Sequence, residues 1–236
     1  MQLWLCPLLA FLLGSIPFGL IISRLKGIDI RQHGSGNIGA TNVLRVIGKK
    51  YGIACLLLDA LKGFVPVVIA INLIQIAGRP VQIPLAFLDA WALELAAADA
   101  TKAQLLQILT ALLAILGHNY SPWVGFKGGK GIATSAGVLL ALMPFGVILL
   151  IAIWLLLFLG TRYVSVASIG AAAALPLVTL YGSWTHGRIQ DGTWNKPLFA
   201  FSLVIAALAI WKHRVNLQRL RAGTEHRFER KKKPDA

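Results

Sequence analysis

The chain has 236 residues, of which 57% are hydrophobic and only 14% charged, with a formal net charge of +14. A soluble domain is about a quarter charged, so the composition excludes an ordinary soluble globule and points to a membrane-embedded, all-α domain. The basic excess does not indicate a nucleic-acid partner, because the lysines and arginines sit in short polar loops between apolar runs and no soluble nucleic-acid fold fits there.

The first apolar run, 3–23, has no positive charge ahead of it, while Arg24, Lys26 and Arg31 follow it. That is the reverse of a cleavable signal, so it is expected to stay as a span with its N-terminus outside. Cys6 and Cys55 both fall in apolar segments and suggest neither a disulfide framework nor a metal site. A glycine-rich cluster follows, GSGNIGATNVLR at 34–45. Ser35 and Asn37 are good helix N-caps. Asn37, Thr41 and Arg45 recur every four residues and predict one helix face carrying an amide, a hydroxyl and a guanidinium. Such a helix start favours an anion.

The second span, 51–77, holds Asp59 and Lys62 three residues apart. An ion pair inside a span is costly, and this one is read as structural support. Segment 84–102 carries Leu85, Leu88, Trp91, Ala92 and Leu95 at spacings of three to four, which predicts an amphipathic helix on the outer surface. The third span, 103–120, leads into GHNYSPWVGFKGGKGIAT at 117–134. Its Lys127, Gly128, Gly129 and Lys130 describe a phosphate cradle, since glycines free backbone N–H groups and lysines add charge. The spacing is not a nucleotide-binding Walker loop, because Val124 stands where its first glycine belongs.

Spans four and five, 132–148 and 145–160, meet at a bend near Pro144. A short turn then places Ser165 at the mouth of the sixth span, 164–182. The seventh span, 197–211, runs into WKHRVNLQRL, where His213 and Asn216 share a face. The boundary near 222 separates a single polytopic domain, 1–222, from a basic cytoplasmic tail, 223–236. Within that tail, Glu225 is expected to pair with a basic residue and hold the structure. With the N-terminus outside, the inner loops and tail carry 18 lysines and arginines and the outer loops 4, the positive-inside bias.

In order along the chain, GSIPFG, GSGNIGATNVLR, LDALKG, GHNYSPWVGFKGGKGIAT, TRYVS and HRVNLQRLRAGTE resemble the bacterial acyl-phosphate:glycerol-3-phosphate acyltransferase family. The departure is the outer segment 78–103, longer than the family pattern. The resemblance implies seven membrane helices in the inner membrane and transfer of an acyl group from acyl phosphate to glycerol 3-phosphate, giving lysophosphatidic acid, without metal or organic cofactor. It implies Ser35, Arg45, Lys127, Ser165, His213 and Asn216 at a cytoplasm-facing active site. The competing class is a transporter of a phosphorylated solute, whose site would lie near the midplane between repeats. A further alternative is an acyltransferase using acyl-CoA or acyl carrier protein.

Overall fold

The computed structural model describes residues 4–228. Helix α1 (Leu5–Ser15) and α2 (Phe18–Arg24) together make the first apolar span. They break at Pro17, which lacks the N–H that a continuous helix needs. A short polar stretch leads to α3 (Ala40–Val46) and then to the long α4 (Lys49–Leu73). The remaining helices are α5 (Ala100–Asn119), α6 (Ile132–Leu142), α7 (Pro144–Thr161), α8 (Val164–Thr185), α9 (Lys196–Lys212) and α10 (Arg214–Arg221). Among the described residues, five spans are long and apolar enough to cross a bilayer, and a sixth if α9 and α10, bent by 51°, count as one. Large apolar side chains such as Leu57, Leu156, Leu177 and Val204 lie on the outside, as a lipid-facing surface requires.

Segment 84–102 is not the amphipathic helix expected. It forms a 3₁₀ turn at Ala86–Trp91, a strand β2 (Leu93–Leu95) and a second 3₁₀ turn at Ala97–Asp99. Strand β2 pairs in parallel with β1 (Ile74–Ile76), which continues directly from α4. The physical reason lies in the period. Leu85, Leu88 and Trp91 recur every three residues, which a 3₁₀ turn satisfies as well as an α-helix does. The second span accordingly ends at Leu73 rather than near 77. Spans four and five separate at Met143, where α6 stops and Pro144 starts α7.

Within a bilayer, helices associate by close packing rather than by burial from water. Helix α1 packs on α5 and α4 on α6, each through a glycine. A Cβ on Gly14 would overlap the Ala114 carbonyl, and one on Gly137 the Ala60 carbonyl. The central apolar core joins Val67 of α4, Ala111 and Ile115 of α5, Val138 of α6, Leu175 of α8 and Phe201 of α9. The break in the first span leaves the Ile16 carbonyl without the donor four residues on, although it accepts the Phe18 N–H at 3.1 Å. Lys62 Nζ donates to it at 2.6 Å and lies 2.7 Å from Asp59 Oδ1. Both side chains are buried, so neither charge of this pair faces lipid alone.

The bundle is hollow at both ends. A cavity of about 370 Å³ lies where α4, α6 and α8 end and α5, α7 and α9 begin. A second, of about 520 Å³, lies at the opposite end of the same helices.

Candidate active site

The larger cavity gathers polar side chains from four separated stretches of the chain. The first stretch is organised by Asn42, which is buried. Its Oδ1 accepts the Ser35 N–H at 2.9 Å, and its Nδ2 donates to the carbonyls of His33 and Asn37 at 3.0 and 2.9 Å. The glycine-rich loop is thereby folded back onto α3. Asn37 Oδ1 accepts the Gly39 N–H at 2.8 Å, a local turn that Asn favours. The helix consequently starts at Ala40 with Gly39 as its cap. Ser35 and Asn37 are therefore not caps, and Asn37 precedes the helix instead of sharing its face. Ser35, Asn37, Thr41 and Arg45 nevertheless all line the cavity. Among the described residues the Arg45 guanidinium makes no hydrogen bond or ion pair; its contact is with the Phe228 ring, 5.9 Å from Cζ to centroid.

The second stretch is the glycine–lysine loop. Gly129 N–H donates to the His118 carbonyl at 3.1 Å. A Cβ on Gly128 would overlap that carbonyl, and a Cβ on Gly129 the His118 imidazole. Tight seating on His118 turns the loop so that Lys130, not Lys127, faces the cavity. Lys127 is exposed and lies outside the cavity wall, as do the backbones of Gly128 and Gly129. His118 itself lines the cavity, with Nδ1 3.7 Å from Asp59 Oδ1.

The third and fourth stretches meet in one hydrogen-bonded chain. Lys130 Nζ donates to Asn216 Oδ1 at 2.5 Å, and Asn216 Nδ2 donates to Glu225 Oε1 at 2.6 Å. An ammonium only donates and a carboxylate only accepts, which fixes the orientation of the Asn216 amide between them. Glu225 also accepts from Ser165 Oγ at 2.8 Å and from Arg219 Nε at 3.1 Å. Burial works against ionisation of Glu225, but the bonds from Asn216 and Ser165 and the charge of Arg219 outweigh it and hold its pKa below the usual range. Burial pushes the Lys130 ammonium down to about 8; Glu225 opposes this shift, whereas the charges of Arg219 and Arg45 add to it. The bend between α9 and α10 falls at His213, which is buried. His213 Nδ1 lies 2.7 Å from the Ala209 carbonyl. A carbonyl only accepts, so Nδ1 carries a proton, and in the neutral ring Nε2 then keeps its lone pair.

Away from these groups the wall becomes apolar. Ala60 of α4, Leu139 of α6, Val147 and Leu150 of α7 and Leu175 of α8 continue the same cavity. Leu56, Leu57 and Ile151 line it while remaining about half exposed on the outer surface, so the cavity opens sideways between α4 and α7. The arrangement combines a cationic, hydrogen-bonding end with an apolar channel reaching lipid. That pairing suits a reaction joining a phosphorylated polar molecule to an acyl chain, which defines a membrane-embedded acyltransferase. Among the described residues no three His, Cys, Asp or Glu side chains converge as metal ligands do.

Residues 4–223 match the family described as glycerol-3-phosphate acyltransferase. The chain is 41% identical to the glycerol-3-phosphate acyltransferase of Aquifex aeolicus over 93% of its own length and 95% of that protein's. It is 44% identical to that of Geobacter metallireducens over 93% and 94%. Its fold is similar to the crystal structure of PlsY (YgiH), an integral membrane glycerol 3-phosphate acyltransferase, in the glycerol 3-phosphate form. That match has a TM-score of 0.76 and 38% identity over 97% of this chain and 96% of the other. The lysophosphatidic acid form of PlsY gives a TM-score of 0.74 over the same shares. The chain belongs to the glycerol-3-phosphate acyltransferase family.

Several wall residues, Asn42, Arg219 and Trp154 among them, were not singled out by sequence spacing. Asn42 lies inside the glycine-rich cluster but off its four-residue face. Arg219 reads as one of several tail charges. Trp154, whose Nε1 donates to Ser168 Oγ at 3.1 Å, reads as one more lipid-facing aromatic.

Proposed function

We propose that this chain transfers a fatty acyl group from acyl phosphate to the sn-1 hydroxyl of glycerol 3-phosphate, giving lysophosphatidic acid and phosphate for phospholipid synthesis. The observation that carries this reading is the single cavity with a cationic end and an apolar, lipid-open end. The donor's chain would lie among Leu139, Leu150 and Leu175. The phosphates would be held by Arg45, Lys130 and the hydrogen-bonding groups of Ser35, Asn37, Thr41, Ser165 and Asn216. Arg45 suits bidentate phosphate binding because its fork of donors is unengaged. Lys127 would act from the exposed approach, and Gly128 and Gly129 by seating the loop on His118. Asp59, Lys62 and Glu225 would hold the site together.

Acyl phosphate is a mixed anhydride with a good leaving group. The sn-1 oxygen attacks the carbonyl carbon, a C–O bond forms, and the bond from that carbon to the phosphate oxygen breaks. The hydroxyl proton passes to the departing phosphate or to His213 Nε2. Catalysis is then positioning and charge stabilisation. Direct transfer, without an acyl-enzyme, is supported by Ser35, whose Oγ has no hydrogen-bonded histidine or carboxylate among the described residues. Nucleophilic serines need such a base.

For the membrane, we infer seven crossings of the bacterial inner membrane, N-terminus outside and active site cytoplasmic. Helix α6 has 11 residues, about 16 Å at 1.5 Å per residue, which is short for a crossing. It still runs from the larger cavity at Ile132 to the opposite one at Leu142, which supports counting it. The 18-to-4 split of basic residues supports the orientation. A single domain over 1–222 would then be followed by a tail whose described part, 223–228, returns to the site. The basic stretch 229–236 lies outside the described residues.

The test is lysophosphatidic acid formation by purified protein from labelled glycerol 3-phosphate, with palmitoyl phosphate, palmitoyl-CoA or palmitoyl carrier protein as donor and divalent metal chelated. Product from acyl phosphate alone is expected. Product from a thioester donor would correct the donor. No product from any, with solute uptake into sealed vesicles, would favour a transporter.

A further inference from the structure

Past the family-matched region, the chain turns back over the cationic end of the cavity. Glu225 is bonded to Ser165, Asn216 and Arg219. Three residues on, the Phe228 N–H donates to the Arg162 carbonyl at 3.0 Å. Arg162 caps α7 with φ +65°, a left-handed conformation uncommon outside glycine. The Phe228 ring meets Phe158 edge-on at 5.6 Å, and Arg227 lies over the Tyr163 ring at 5.7 Å. Residues 225–228 are therefore pinned at both ends, to α10 and to the turn between α7 and α8. His226 between them lines the cavity.

Besides the Ser165 and Asn216 that Glu225 holds, the strap touches Arg45 through Phe228. Arginine has a long, rotamer-rich side chain whose ordering costs entropy. The described residues give its guanidinium no hydrogen bond. The face of Phe228, at 5.9 Å, is within the range of a cation–π contact. An aromatic face fixes a guanidinium without consuming its N–H donors, which stay free for an incoming phosphate.

We propose that Phe228 is a positioning residue for Arg45, and that the strap it anchors sets the affinity for the soluble acceptor. The assignment to the acceptor follows from place. The strap closes over the water-facing end, through which glycerol 3-phosphate must enter, whereas the acyl donor arrives from lipid between α4 and α7. The inference rests on the acyl-transfer reading above.

Steady-state rates on the full chain test it, with both substrates varied. Phe228→Leu keeps apolar contact with Phe158 but removes the aromatic face. It is expected to raise the KM for glycerol 3-phosphate about five-fold, with the KM for acyl phosphate and kcat within about two-fold. Phe228→Trp restores the wild-type KM. In an Arg45→Gln background, where no cation faces the ring, Phe228→Leu adds no further change. Wild-type KM in Phe228→Leu overturns the proposal, as does an equal fall in kcat and in folded protein that Phe228→Trp does not rescue. A wild type inactive with every donor overturns the acyl-transfer reading, and this inference with it.

Discussion

The two ends of the bundle are both hollow and both polar, yet their polar groups are engaged differently. At the smaller cavity, Asn72 donates to the carbonyls of Val68 and Ile83 at 2.8 and 3.0 Å and accepts the Leu85 N–H at 2.8 Å. Its amide is used up in tying the segment after β1 to α4. Arg79 and Arg188 at that rim are exposed. At the larger cavity, Arg45, Lys130 and Arg219 face one carboxylate, Glu225, while Asp59 is matched by Lys62. Charge is costly to bury unpaired. Arg45 is itself exposed, but it stands beside half-buried Lys130 and Arg219 around that carboxylate; a surplus of positive charge with free donors in a cavity wall suits an anion, whereas satisfied amides under lone exposed arginines are architecture.

The largest effect is expected at Arg45. Arg45→Ala would remove the guanidinium fork proposed to hold phosphate and is expected to lower kcat/KM for lysophosphatidic acid formation about 100-fold. A loss under about five-fold in folded protein would place the phosphate elsewhere. Next comes Gly129, where an added methyl would displace the His118 ring and swing Lys130 from the wall. Gly129→Ala is expected to cost about ten-fold in kcat/KM and about 1–3 kcal/mol of stability from overpacking. Gly182→Ala at the other end, where nothing lies within 4 Å, should change neither rate nor melting temperature appreciably.

Lys130 supplies a pH test of intermediate size. Its ammonium is charged below about 8 and neutral above. The KM for phosphate-bearing substrate should therefore rise several-fold as pH passes through that value, and Lys130→Arg should abolish the rise. A KM flat from pH 7 to about 9.5 in the wild type would remove Lys130 from phosphate binding. The smallest effect is expected from Arg79→Ala with Arg188→Ala, whose kcat/KM should stay within about two-fold of wild type, since exposed charges far from a site act weakly through screened solvent.

The long apolar helices were legible because hydropathy acts over whole segments. The polar clusters were legible because glycine, lysine and arginine rarely collect beside apolar runs without a task. Less visible was which side chain in a cluster faces inward. Lys127 and Lys130 are equivalent in composition, and only the seating of Gly128 and Gly129 on His118 separates them. The three-residue stripe at 85–91 fits two helical periods, and the pairing of β1 with β2, partners 19 residues apart in register, leaves no local trace. Asn42 became an organiser only through carbonyls brought to it by the returning loop.

The most direct measurement is equilibrium binding of labelled glycerol 3-phosphate to the purified protein, to Arg45→Ala, and to the Arg79→Ala, Arg188→Ala double variant. Saturable binding is expected in the wild type and the double variant, and loss of it in Arg45→Ala with the fold intact. Retained affinity in Arg45→Ala, or its loss in the double variant, would contradict the assignment of the larger cavity as the site of transfer.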